Sequence, residues 1–123
     1  AICEENRITY ILIHGTCLGF VRDGGYIKWD NDIDVLIKGD YNKIVDGLKR
    51  AGFREGIKFN GYQHWWKNAI LVDVHWEHPC PFINAVDKIK YNGKFYNVPY
   101  PVEGYLIWRY GIDWRTPQRT GMH

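Results

Sequence analysis

The chain has 123 residues, 46% of them hydrophobic, with six Trp, nine Tyr and five Phe. So much aromatic surface excludes a disordered chain, and the length suits a single domain, 1–123, that buries roughly two-thirds of its unfolded surface. Sixteen basic against fourteen acidic side chains leave a net charge of +2. That is too weak a balance to point to a nucleic-acid partner and excludes an acidic tail.

No run of about 18 apolar residues is present, so no membrane-spanning helix is expected. The N-terminal AICEENRITY carries two acidic residues where a secretory signal needs a basic start and an apolar middle. The odd count of three cysteines, Cys3, Cys17 and Cys80, speaks against a disulfide framework and for a reducing, cytoplasmic setting.

Residues 1–7 read as the end of a helix. The β-branched and aromatic run 9–13 (TYILI) predicts a strand, broken by His14-Gly15-Thr16. A short helical turn over 18–22 follows, ended by Gly24-Gly25, and then a strand over 33–37. From Asp40 the period changes: Tyr41, Ile44, Val45 and Leu48 make the apolar stripe of an amphipathic helix. Asp40 suits its N-cap and Gly52 its stop.

Segments 53–58 and 62–66 predict an antiparallel pair turning at Asn60-Gly61. The apolar strand 69–76 (AILVDVHW) holds one carboxylate, Asp73. Segments 89–91 and 95–98, joined by Asn92-Gly93, predict a hairpin. A short helix over 103–110 precedes the tail GIDWRTPQRTGMH. Strand, helix and strand, then hairpins and a helix, imply an α/β or α+β domain: a mixed sheet with helices packed on it.

Chemistry concentrates in residues 14–37, HGTCLGFVRDGGYIKWDNDIDVLI. Asp32 and Asp34 stand two apart at a strand's start, so both carboxylates point to one face. Held that close they repel and raise each other's pKa, which a fold tolerates readily when a cation or solvent lies between them. Oxygen ligands alone favour a hard ion, Mg²⁺ or Mn²⁺. Asp30 continues the spacing. Asp73, alone in an apolar strand, needs a partner to offset the cost of its burial and is a candidate third ligand. Gly15-Thr16, between a strand and a helical turn, is suited to holding phosphate oxygens.

Other residue groups have simpler readings. His75, His78 and Cys80 have ligand chemistry for a structural zinc, against a plain strand end with solvated histidines. Cys17 starts a helical turn, where a thiol pKa can fall, but no His/Asp pattern marks it as a nucleophile. His14, beside the Gly-Thr loop, reads as a packing residue or a support for that loop rather than as a base. Tyr62, Trp65 and Trp66 read as a sugar platform or as core.

A Gly-Thr loop, Asp-x-Asp in a strand and a lone Asp in a later apolar strand resemble the nucleotidyltransferase superfamily typified by DNA polymerase β. More narrowly, GTCLGFVRDGGYIKWDNDIDV resembles the signature of the LicD/fukutin-related family, met here by Gly15, Thr16, Leu18, Gly19, Arg22, Gly25, Trp29, Asp30, Asp32 and Asp34. The late YLIWRYGIDWRTP is similar to that family's ending.

The resemblance implies a nucleotidyltransferase-type fold and a metal-dependent transferase. Such an enzyme moves phosphocholine or a polyol phosphate from a CDP-linked donor to a glycan hydroxyl. It implies Mg²⁺ or Mn²⁺ on Asp32, Asp34 and Asp73, with Asp73 also deprotonating the acceptor and Asp30 in support. Gly15, Thr16 and Arg22 would hold donor phosphates, with Arg22 as a planar fork. Trp29, Trp114 and Arg115 are candidates for donor or acceptor contact, the last two weighed against docking of the final helix. Two other readings are a small nucleotidyltransferase adding a nucleotide to a small-molecule hydroxyl, and a non-catalytic nucleotide-binding domain.

Overall fold

A computed structural model describes residue 3, residues 8–24 and residues 32–116. Trp29, Asp30 and Gly25 lie outside the described residues, as does all but Cys3 of the expected N-terminal helix end. The chain divides into two compact units, 1–10 with 31–78 and 11–30 with 79–123.

The first unit is built on a mixed five-stranded sheet of order β1-β2-β5-β4-β3. Its strands are β1 (Thr9–Leu12), β2 (Asp32–Lys38), β3 (Arg54–Lys58), β4 (Tyr62–Lys67) and β5 (Ile70–His75). Of β1, Thr9 and Tyr10 belong to this unit. β2 and β5 run parallel, with Asp34 opposite Asp73; β4 pairs antiparallel with β5, with His64 opposite Asp73 and Tyr62 opposite His75.

Helix α1 (His14–Leu18) lies in the second unit, and α2 (Tyr41–Arg50) is the crossover after β2. The Asp40 side chain accepts a hydrogen bond from the Asn42 N–H at 3.0 Å, the N-cap that its position suggested. After α2 the backbone turns at Gly52 with φ +95°, a left-handed conformation that favours glycine.

The alternation of side chains across the strands divides labour between the sheet's faces. Val35 and Ile37 of β2, Trp65 of β4 and Val72 and Val74 of β5 pack with Ile8 and with Ile44 and Leu48 of α2. Trp65 is fully buried there. Its indole N–H donates to the Tyr41 hydroxyl at 2.8 Å, which donates to Gln63 Oε1 at 2.6 Å. Of the three aromatics read as a possible platform, Trp65 is thus core. The opposite face carries Asp32, Asp34, Asp73, His64, His75 and Tyr62, by the same two-residue period.

In the second unit, the hairpin β6 (Val86–Tyr91) and β7 (Lys94–Pro99) precedes helix α3 (Val102–Tyr110). Asn92 and Gly93 both have positive φ, 51° and 80°, as a two-residue primed turn requires. Asp87 of β6 accepts from the Val102 N–H at 3.0 Å and so caps α3 from outside the helix. Phe20 lies tilted against Tyr91 with ring centroids 4.7 Å apart and meets Tyr96 edge-on at 5.5 Å. Val98, Tyr105 and Leu106 are fully buried.

Helix α1 starts at His14, where the sequence suggested a break, and passes at Gly19 into a wide π turn ending at Asp23. Its Gly15, Thr16, Cys17 and Leu18 are all buried, and that packing overrides the weak helix propensity of Gly-Thr. The Tyr105 hydroxyl accepts from the His14 N–H at 3.0 Å, tying α1 to α3. Among the described residues, no helix is long and apolar enough to cross a membrane.

Candidate active site

β2 and β5 bring the predicted acids together. Carboxylate oxygens of Asp32, Asp34 and Asp73 all lie within 4.8 Å of one another. The parallel register explains it: Asp34 stands opposite Asp73, and Asp32 is one period back on the same face. Asp73 is only 8% exposed. Burial pushes its carboxyl above the ordinary range, and the Asp34 and Asp32 charges add to this; the hydrogen bond with His64 pulls the other way.

Two histidines complete this face, and sequence reasoning missed their role. His64 Nδ1 hydrogen-bonds Asp73 Oδ1, and His75 Nε2 hydrogen-bonds Asp34 Oδ1 at 3.3 Å. The Tyr62 ring lies parallel to His75 at 4.9 Å, and Phe59 stacks on Tyr62 at 4.6 Å. A faint signal existed: Tyr62-x-His64 and Asp73-x-His75 each place two polar rings or acids on one face of a strand. Which strands pair is not written locally, so the contact itself could not be read.

The remaining predicted residues are placed as follows. Gly15 and Thr16 lie in the first turn of α1, both buried. The Arg22 guanidinium makes two hydrogen bonds to Asp23, at 2.8 and 2.9 Å. Trp114 is buried with Arg115 stacked 4.2 Å over its ring. Arg115 also donates to Glu103 of α3 at 3.1 Å, which ties Arg115 to the last helix.

The Cys17 thiol departs from expectation. Complete burial pushes its pKa far up rather than down, so it is an inert core group. The zinc reading of His75, His78 and Cys80 is not supported. His75 faces Asp34, and among the described residues the grouping of His, Cys, Asp or Glu side chains able to share an ion is Asp32, Asp34 and Asp73.

The donor set fits a hard divalent cation: three carboxylates, all oxygen, with no thiolate among them. Crowded acids of this kind repel unless a cation offsets them.

The fold is that of nucleotidyltransferases. The chain superposes on a crystal structure of the lincosamide antibiotic adenylyltransferase LnuA, lincomycin-bound, with a TM-score of 0.69 and 15% identity, covering 96% of this chain and 84% of that one. The solution structure of the antibiotic-resistance factor ANT(2″)-Ia gives a TM-score of 0.67 and 14% identity, over 89% of this chain and 64% of that one. Within that fold the sequence is more specific: residues 7–115 match the family described as LicD/FKTN/FKRP, nucleotidyltransferase domain, and the chain belongs to it.

The lipopolysaccharide cholinephosphotransferase LicD of Haemophilus influenzae is 47% identical over 47 residues. That stretch is 37% of this chain and 18% of that protein.

Proposed function

We propose that this domain transfers a phosphate-linked group, phosphocholine or a polyol phosphate, from a CDP-activated donor to a glycan hydroxyl. The observation that carries the reading is the convergence of Asp32, Asp34 and Asp73 within 4.8 Å on one sheet face, in a chain of the LicD family. The likeness to a cholinephosphotransferase over part of the chain supports phosphocholine as the transferred group.

Asp32, Asp34 and Asp73 would hold Mg²⁺ or Mn²⁺, which when bound supplies positive charge against the phosphoryl oxygens. The acceptor hydroxyl loses its proton to the Asp73 carboxylate as it attacks. The acceptor oxygen attacks the donor's distal phosphorus, the bond from that phosphorus to the CMP oxygen breaks, and CMP leaves.

Gly15, Thr16 and Arg22 are assigned to donor phosphates on the motif. For Arg22 this means exchanging the Asp23 carboxylate for a phosphate, since both accept the same planar fork. Asp30 and Trp29 keep their supporting and contact roles on the motif alone.

The test is incubation with Mg²⁺, a glycan acceptor and, in parallel, CDP-choline, CDP-ribitol, CDP-glycerol and nucleoside triphosphates. Acceptor-dependent CMP release from one CDP-alcohol is expected. Pyrophosphate release from a triphosphate instead would move the assignment to nucleotide transfer, the reaction named for the structural neighbour LnuA. Binding of nucleotide with no turnover of any donor would leave a binding domain.

A further inference from the structure

Resting on that reading, we propose that His64 and His75 are positioning residues that fix the rotation of the Asp73 and Asp34 carboxylates, so that three acids form one preorganised cation site. A carboxylate on a strand turns freely about its Cβ–Cγ bond unless something holds an oxygen. In this structure the two acids that face each other across β2 and β5 are each held at Oδ1 by a different imidazole nitrogen: Nδ1 of His64 on Asp73, Nε2 of His75 on Asp34.

The imidazoles are themselves braced. Tyr62 lies flat against His75 at 4.9 Å with 18° between the planes. Phe59 meets Tyr62 face-on at 4.6 Å and the His64 ring edge-on at 4.8 Å. The pairing of β4 with β5 dictates the arrangement, since His64 is opposite Asp73 and Tyr62 opposite His75. Three layers result: aromatic rings, then histidines, then acids. Outer partners that orient metal-binding side chains typically change metal affinity by about 10- to 100-fold when removed. Strand-borne residues with locked rings are the kind of support a precise site needs.

The use of different ring nitrogens supplies a test that a merely structural role would fail. An Asn side-chain amide reaches about where Nδ1 does, and a Gln amide about where Nε2 does. Mn²⁺ alone is titrated into the full chain and its affinity read by calorimetry, with circular dichroism and thermal melting run on every variant. Wild type binds Mn²⁺, and Asp34→Asn abolishes binding; if wild type binds none, the metal assignment itself fails, separately from this inference.

His64→Ala and His75→Ala are each expected to weaken Mn²⁺ binding by about 10-fold or more. His64→Asn and His75→Gln restore most of it, whereas the exchanged pair, His64→Gln and His75→Asn, does not. Wild-type affinity in both alanine variants, or equal affinity in the Asn and Gln variants at each position, overturns the inference. Should an alanine variant fail to fold, the Asn/Gln comparison at that position decides alone.

Discussion

Asp34→Asn is the substitution in which stability and function should move in opposite directions. Its carboxylate lies within 4.8 Å of those of Asp32 and Asp73. At an effective dielectric of about 20, two unit charges at that separation repel by about 3.5 kcal/mol. Asp34 keeps part of its side chain in contact with solvent, and that screening reduces the repulsion, so a net gain of about 1 kcal/mol is expected from neutralising Asp34. Asparagine keeps an oxygen at Oδ1 to accept from His75 Nε2, so that hydrogen bond survives.

For a domain of this size about 1 kcal/mol corresponds to roughly 4 °C in Tm. Melting is followed by differential scanning fluorimetry, first with EDTA and then with Mg²⁺. In EDTA the variant should melt above wild type. A ligand at about 100 times its Kd stabilises a folded protein by about 2.7 kcal/mol, so Mg²⁺ should raise wild type past the variant, which gains little. A variant that melts below wild type in EDTA, or that gains as much from Mg²⁺, would refute the picture of crowded acids sharing a cation.

The remaining predictions concern groups away from the acids. Tyr41→Phe removes the hydroxyl that accepts from Trp65 Nε1 and donates to Gln63 Oε1. With Trp65 and Gln63 both buried, a loss of about 1–3 kcal/mol is expected, read as a lower urea midpoint with unchanged slope; an unchanged midpoint would show that the network contributes nothing. Burial raises the pKa of both Cys17 and Tyr105, so in alkali the unfolded chain releases protons that the folded one keeps. Stability therefore falls as pH rises above about 9, by up to about 1.4 kcal/mol per pH unit per group. Cys17→Ala should flatten the first part of that fall, and iodoacetamide at pH 8 should label Cys3 before Cys17 in the native protein.

Much of this architecture was legible because its signals are local. Asp40 capping an i, i+3, i+4, i+7 stripe and Asn92-Gly93 between two β-rich runs each fix an element within a dozen residues, and the structure has them at α2 and the β6–β7 turn. The acids were legible for a related reason. Asp32 and Asp34 share a face by the period of a strand, and a lone Asp73 in AILVDVHW required partners. What stayed hidden depends on pairing between distant segments. That His64 meets Asp73 follows only from the β4–β5 register. That Gly15 and Thr16 sit inside a short helix follows from the burial of α1 and its tie to Tyr105, 91 residues away in sequence.

The two faces of β2 and β5 also explain how a small domain tolerates three neighbouring acids. On one face Val35, Ile37, Val72 and Val74 join Trp65 and the apolar stripe of α2, and full burial of a side chain such as Ile37 or Val74 stabilises by about 1.5–3 kcal/mol. The same strands, read at the alternate positions, carry the charges that repel. Because side chains alternate, the stabilising and the strained residues are interleaved in sequence yet separated by the thickness of the sheet. The strain at Asp32, Asp34 and Asp73 is therefore held by the backbone that the opposite face anchors. A core substitution such as Val74→Ala, next to Asp73 in sequence but on the other face, should lower stability without changing Mn²⁺ affinity in the protein that remains folded.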